Sequence, residues 1–317
     1  MNLVAESAAM QRVRELIEKV AITDANVLVL GESGTGKDLV ARLIHEGSPR
    51  KIKPFVTIDC ASLPEDLLES ELFGYEKGAF TGAGDVKPGR FEAANQGTLV
   101  LDEIASLSQS SQAKLLRVIE ERSFERLGGK QSIKIDVRIV ALTNVDLKAA
   151  VRSNTFRADL YYRLNVVTIE LPRLVDRIDD LSRLATIFAS HFSARSGRSA
   201  PSVTTEALSL LSDYDFPGNV RELRNIIELS VLSTEGDQIC PEHLPPYLRS
   251  AGRLMRSRKQ KMTLAELEAV YISEVLEFTR GNKTRAADIL GISRKNLYEK
   301  IRRYRLGPEK GEDAFLN

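Results

Sequence analysis

The sequence is short of the residues on which disulfide scaffolds and thiol- or imidazole-bound metal sites depend. It has two cysteines among 317 residues, Cys60 and Cys240, too few for a disulfide framework and too distant for a CxxC metal pair, so reduced buried thiols are expected. The three histidines, His45, His191 and His243, are equally scattered, and no role is assigned to them. No apolar run approaches the roughly 20 residues that span a bilayer. The opening stretch MNLVAESAAMQRVRELIEKV has the spacing of an amphipathic helix and none of a signal peptide's apolar centre. No internal repeat is found. These absences predict a cytoplasmic protein with no membrane partner.

At 43% hydrophobic and 28% charged, the chain is long enough for two or three domains around at least one sizeable core. The net charge of +1 hides an asymmetry: residues 249–305 carry fifteen Lys and Arg against six Asp and Glu, a balance of +9, which leaves −8 for the rest. One end is therefore suited to a polyanion. The run RSAGRLMRSRKQK (249–261) lacks regular apolar positions and reads as a solvated linker between a large body of alternating strands and helices and a short helical module.

Within the body, NVLVL (26–30) has the pattern of a buried strand, followed by GESGTGKD (31–38) and the helical run LVARLIHEG. Strand, glycine-rich turn and helix form the setting in which a GxxxxGK phosphate loop is credible. Gly31, Gly34 and Gly36 let backbone amides form an anion nest, with Glu32, Ser33 and Thr35 between them, and Lys37 would reach the β- and γ-phosphates. The hydroxyl usual after the lysine is replaced by Asp38, a carboxylate expected to point away from the phosphates, so magnesium must lean on a second acidic site. That site is GTLVLDEI (97–104), a strand ending in Asp102 and Glu103. The carboxyl ends of parallel strands face the ligand crevice, which puts Asp102 where a phosphate-bound Mg²⁺ would sit and Glu103 where it can polarise water. A third strand, IDVRIVALTN (135–144), ends in Thr143 and Asn144, polar groups suited to orienting water or the γ-phosphate.

FRADLYYRLNV (156–166) holds Arg157 and Arg163 six residues apart, either charge-neutralising fingers supplied across a subunit boundary or surface salt-bridge partners. In FPGNVRELRN (216–225), Pro217-Gly218 makes a turn, Asn219 is read as a helix N-cap, and Arg221 lies in the first turn. A cation there opposes the helix dipole, which calls for an anionic partner, nucleotide or core carboxylate. FGYEKGAFTGAGDVKPGR has no nucleophile, base or metal spacing, yet it holds Phe80 among glycines in a loop.

In this order, GESGTGK, ELFGYEKGAFTGA, GTLVLDEI, FRADLYYRLNV and PGNVREL resemble the AAA+ ATPase domain of bacterial enhancer-binding proteins, the activators of sigma-54 RNA polymerase. The resemblance implies ATP held by Gly31–Asp38, Mg²⁺ at Asp102, catalytic Glu103, a sensor at Asn144, trans-acting Arg157 and Arg163, and a second sensor at Arg221. It also implies that Gly78, Ala79, Phe80, Thr81, Gly82 and Ala83 contact sigma-54 when ATP is bound, with Phe80 and Thr81 at the tip. Gly78, Gly82 and Gly84 would let this loop rise or fold down. The position of the family's switch residue, commonly Asn, is Asp59, which would repel Glu103 instead of donating a hydrogen bond to it. No receiver or sensory domain is read ahead of the phosphate loop, so control is expected from a separate protein or from a regulatory domain outside this sequence.

The tail follows the same logic. TLAELEAVYISEVLEFTR (263–280) is an amphipathic helix, and NKTRAADILGISRKNLYEKIRRYRL (282–306) reads as helix, turn and helix, with Gly291 in the turn and Ser293 as cap. It resembles the Fis-type helix-turn-helix. Thr284, Arg285, Ser293, Arg294, Lys295, Asn296, Tyr298, Lys300, Arg302 and Arg303 are the candidate DNA contacts, early residues on bases and later ones on phosphates.

The expected architecture is an α/β AAA+ parallel-sheet domain over 1–172, an all-α lid over 173–248, a basic linker over 249–262 and a helix-turn-helix domain over 263–317. The expected partners are sigma-54 holoenzyme, upstream double-stranded DNA and further copies of the chain, a hexameric ring when active and a dimer when idle. A DNA-binding repressor or scaffold with a vestigial ATPase, and an AAA+ remodeller of another substrate, are the alternatives. The intact Lys37, Asp102 and Glu103 speak against the first and GAFTGA against the second.

Overall fold

A computed structural model describes residues 3–81, 83–195, 197–248, 263–279, 281–304 and 306. The chain divides into two compact units, Met1–Ile187 with Phe216–Asn225, and Phe188–Asp215 with Ile226–Asn317. The basic linker expected at 249–262 lies outside the described residues.

The first unit is built on strands β1 (Val27–Leu30), β2 (Phe55–Asp59), β5 (Thr98–Asp102), β8 (Arg138–Thr143) and β9 (Val167–Glu170), all parallel in the order β2-β5-β8-β1-β9. Two short antiparallel ribbons lie outside this sheet: β3 (Gly74–Tyr75) with β4 (Lys87–Pro88), and β6 (Ser123–Glu125) with β7 (Ser132–Lys134). The central strands are apolar almost throughout because both faces are covered. Along β8, Ile139 and Ala141 face one core with Leu28, Leu99 and Leu101, while Val140 and Leu142 face the other with Val27, Val29 and Ile169. Helices α1 (Ala8–Ala21) and α2 (Lys37–Glu46) cover the second face through Met10, Val13, Ile17, Val40 and Ile44. Helices α3 (Glu65–Phe73), α4 (Arg90–Ala93), α5 (Gln109–Glu121), α6 (Leu147–Arg152) and α7 (Ala158–Leu164) supply side chains to the first. Truncating a fully buried leucine such as Leu101 to alanine in such a core costs about 2–5 kcal/mol.

Polar groups fasten the edges of this core. Arg138, 1% exposed, donates from Nη1 and Nη2 to the carbonyls of Ala21 and Val20 at 2.9 and 2.7 Å, which satisfies the C-terminal end of α1. At the other end of α1, Ser7 is the N-cap and the buried Asp180 carboxylate accepts the Glu6 and Ser7 amides and the Ser7 hydroxyl. His45 is buried against Thr98; Cys60 and Cys240 are both free, Cys60 buried as expected and Cys240 only partly so.

In the second unit, β10 (Ser202–Val203) pairs in parallel with β11 (Gln238–Ile239), and α9 (Thr205–Ser212) is capped by Thr204. Helices α8 (Leu181–Arg195) and α10 (Asn219–Ser233) contribute residues to both units. The tail is three helices, α11 (Leu264–Phe278), α12 (Lys283–Leu290) and α13 (Arg294–Tyr304), around a small core of Ile272, Val275, Ala286, Ala287 and Leu297. Asn282 caps α12, Gly291 closes it at φ 66°, and the Ser293 hydroxyl accepts the Asn296 amide.

Candidate active site

The turn between β1 and α2 carries the phosphate-loop residues. Gly34 sits at φ 79°, and a Cβ built there would lie 2.2 Å from the Gly218 carbonyl, so only glycine fits. Thr35 is buried and its hydroxyl donates to the Glu32 carbonyl at 2.8 Å. Lys37, also buried, donates from Nζ to the Gly31 carbonyl at 2.9 Å and lies 3.7 Å from Glu103 Oε1.

Strands β2, β5 and β8 bring the acidic and polar residues to the same end of the sheet. In the β2–β5 register Asp59 is the partner of Asp102. The Asp102 carboxyl is held above its usual range, chiefly by burial and then by the charge of Asp38. Its Oδ1 accepts the Glu103 amide at 2.9 Å. Glu103 itself has φ 49° and ψ 51°, a left-handed conformation rare outside glycine, of the kind that collects at functional sites. This turn carries its Oε2 to the Asn144 amide, 3.4 Å away. Burial, aided by the charges of Asp59, Asp102 and Glu103, pushes the Cys60 thiol up to about 12, so it is inert.

Two readings of the sequence change, those of Thr143 and Asn219. Asp38 is exposed in the first turn of α2. Thr143 is buried and its hydroxyl accepts the Val145 amide, so it is not presented to a ligand. Asn219 opens α10 but is not a simple cap: at φ 50° it turns Oδ1 to the Leu174 amide (2.9 Å) and Nδ2 to Glu32 Oε2 and the Ser33 carbonyl (3.1 Å each). Arg221 Nη1 donates to the Ser33 hydroxyl of the phosphate loop at 2.8 Å. Asp59 is exposed and its Oδ1 accepts the Ala61 amide at 2.9 Å.

Arg157 and Arg163 stand apart from these groups. Arg157, at the start of α7, pairs with Asp159 at 2.8 Å, and Arg163, in its last turn, pairs with Glu120 at 3.0 Å. Both pairs are solvent-exposed and of the kind that contributes little and is readily exchanged for another anion.

The GAFTGA segment leaves the same unit on the β3–β4 ribbon. The Gly78 amide donates to the Ala83 carbonyl at 2.9 Å and the Ala83 amide to the Phe80 carbonyl at 3.0 Å, which closes the loop on itself; Gly82 is outside the described residues. Phe80 is 46% exposed, its ring edge-on to Tyr75 with centroids 4.9 Å apart, and Thr81 is exposed. The base of the loop is tied to the β6–β7 ribbon by Arg126, which donates to both Glu92 and Glu76, a feature the sequence did not disclose.

On the tail, Thr284, Arg285, Ser293, Arg294, Lys295, Asn296, Tyr298, Arg302 and Arg303 are exposed. Lys295, Tyr298, Arg302 and Arg303 line one groove with Glu299. Lys300 departs from this set: its Nζ donates to Glu268 Oε1 at 2.6 Å, and Tyr304 donates to the same carboxylate, so it fastens α13 to α11.

A parallel sheet with a phosphate loop after β1 and an acidic pair closing β5, followed by a helical lid and a helix-turn-helix, is the arrangement of an AAA+ protein with a DNA-binding tail. Residues 3–170 match the sigma-54 interaction domain, 175–261 the AAA+ ATPase lid domain and 263–304 the Fis family of bacterial regulatory proteins. The chain belongs to the sigma-54 activator family. It is 48% identical over 315 residues to the regulatory protein AtoC of Escherichia coli K12, covering 97% of this chain and 68% of AtoC. It is 46% identical over 307 residues to the nitrogen fixation protein AnfA of Azotobacter vinelandii, covering 96% of this chain and 57% of AnfA. Among solved structures it is similar to Brucella abortus NtrX in complex with ATP, with a TM-score of 0.74 and 33% identity over 96% of this chain and 70% of that one. No helix among the described residues is long and apolar enough to cross a membrane.

Proposed function

We propose that this protein is a cytoplasmic ATPase that binds upstream DNA through its tail and uses ATP hydrolysis to remodel sigma-54 RNA polymerase. The observation that carries the reading is the junction, in one α/β unit, of Lys37, Asp102 and Glu103 with an apolar-tipped GAFTGA loop that has no hydrolytic group of its own.

In this reading the amides of Gly31–Asp38 and Lys37 bind the phosphates. Asp102, partly buried at the carboxyl end of β5, would hold a magnesium ion, because Mg²⁺ is commonly held by one or two carboxylates together with substrate phosphates. Bound there, the ion would neutralise charge on the transferred phosphoryl group. Glu103 orients the attacking water and takes its proton, while Lys37 beside it neutralises the phosphate oxygens. Asn144 lies next to Glu103 as a sensor, Arg221 reports from α10 through Ser33, and Asp59 takes the switch position.

Arg157 and Arg163, carried outward on α7, serve the site of the next subunit, which makes a ring, hexameric by resemblance, the active species and a dimer the idle one. The working division is the ATPase subdomain over 1–172, lid over 173–248, linker over 249–262 and DNA-binding domain over 263–317. Transcription in vitro from a sigma-54 promoter tests the whole reading: open complexes are expected with ATP and none with a non-hydrolysable analogue. Transcription that is indifferent to hydrolysis would overturn it. Removing residues 263–317 is expected to spare ATPase at high protein concentration while lowering affinity for a specific site by about 10³-fold or more, and the lost binding should be steeply salt-dependent.

A further inference from the structure

Every carbonyl of the phosphate loop from Gly31 to Thr35 meets a donor. Lys37 Nζ serves Gly31 and the Thr35 amide and hydroxyl serve Glu32. Asn219 Nδ2 serves Ser33 at 3.1 Å, and the Val220 and Arg221 amides serve Gly34 at 3.0 and 3.3 Å. Arg177 Nη2 serves Thr35 at 2.7 Å. In a planar trans peptide the carbonyl and the next amide point in opposite directions, so fixing the Ser33 and Thr35 carbonyls fixes the Gly34 and Gly36 amides to the other side of the loop.

Two of these donors are buried side chains from outside the loop, Arg177 (4% exposed) and Asn219 (1%). Arg177 breaks the short helical stretch Leu174–Asp180 with φ −137° and ψ 46°, and its Nη1 points to Met10 Sδ at 3.0 Å. Asn219 holds the same stretch by accepting the Leu174 amide. The loop is thus gripped at Ser33 and at Thr35 by two residues, one of which, Asn219, also holds the segment that carries the other. A buried guanidinium is an inefficient way to stabilise a fold, because an apolar side chain of similar volume often serves as well or better. Its value here is the carbonyl it holds.

We propose that Arg177 and Asn219 are positioning residues for nucleotide binding, which keep the loop amides presented to phosphate oxygens without touching the nucleotide themselves. The proposal rests on the reading of Gly31–Asp38 as the ATP site. It predicts a split that a purely structural role would not give: affinity falls while turnover at saturation is largely kept.

The test uses the full chain with Arg177→Met, Arg177→Lys and Asn219→Asp, and with Ser108→Ala as a control that removes the cap of α5 and touches neither the loop nor the Leu174–Asp180 stretch. A fluorescent ADP analogue with Mg²⁺ gives Kd, steady-state ATP hydrolysis gives kcat and KM, and thermal unfolding without nucleotide gives Tm. If a displaced loop is binding-competent only about a tenth of the time, Kd and KM rise about tenfold in Arg177→Met and Asn219→Asp, with kcat within about threefold of wild type. Arg177→Lys, which keeps one donor, should fall between, and Ser108→Ala should lower Tm with Kd unchanged. Wild-type Kd in both Arg177→Met and Asn219→Asp overturns the proposal, as does a Kd change that merely follows Tm and is shared by Ser108→Ala. If Arg177→Met does not fold, Asn219→Asp and Arg177→Lys decide by the same criteria. A wild-type protein that fails to bind the probe overturns the ATP-site reading itself, and this inference with it.

Discussion

The loops at 31–36 and 78–83 are both rich in glycine, both leave the same α/β unit, and they are held in opposite ways. The first is fixed from outside by residues far away in sequence, Arg177 and the start of α10. The second is closed by backbone bonds between Gly78, Phe80 and Ala83, with Phe80 resting on Tyr75. A site that acts on phosphate gains from donors set in advance, since reorganising them during the reaction would raise the barrier. A loop that reaches for a partner needs anchors near its base and a tip free to move, and a single edge-on aromatic contact of about 0.5–1.5 kcal/mol is easily exchanged for a partner's groove.

The contrast can be broken from either side. The largest effect is expected from Lys37→Ala, which removes the one side chain of the phosphate loop able to neutralise the β- and γ-oxygens: ATPase should fall to background, and near-normal turnover would end the assignment. Glu103→Gln should still bind ATP, measured by equilibrium titration, but hydrolyse it about 10²-fold or more slowly by the usual size of general-base effects. A variant that does not bind would move Glu103 to a structural role.

On the other side, Phe80→Ala and Thr81→Ala should leave the fold and most ATP hydrolysis intact. They should lose capture of sigma-54 in the presence of ADP and a metal fluoride. Loss of a central aromatic anchor costs about 2 kcal/mol or more, a drop of about thirty-fold in a pull-down. Wild-type promoter opening by either variant would show that this loop is not the coupling element.

The smallest effect is one of sign. Asp102 has its folded-state carboxyl raised by burial and by Asp38, so the protonated form is favoured in the folded state. The ionised group at neutral pH therefore opposes folding, progressively as pH rises through the unfolded and then the folded range. Asp102→Asn keeps the acceptor for the Glu103 amide and removes the charge. It is expected to raise Tm of the nucleotide-free protein by about 2 °C at pH 7 while abolishing Mg²⁺-dependent turnover, and the gap should close towards pH 4. A lower Tm at pH 7 would show that the Asp102 charge is already balanced in the free protein.

Motifs whose parts are neighbours in the chain were legible in the sequence. The phosphate loop between β1 and α2, the Asp102-Glu103 strand end, the Gly291 turn and the Ser293 cap all use local geometry, in which residue type and spacing dictate conformation. The parallel sheet was legible too, because strands buried on both faces must be apolar along their length. Only the tertiary structure decided which polar residues would be drawn inward and to what. Asn219 reads as a helix cap until φ 50° turns it to the phosphate loop, Arg177 lies in an ordinary polar stretch until packing buries it on Thr35, and Lys300 looks like any other basic residue of α13 until Glu268 takes it. Sequence spacing sets which face of an element a side chain takes, but its partner is set by elements distant in the chain, as Thr35 is from Arg177, 142 residues away.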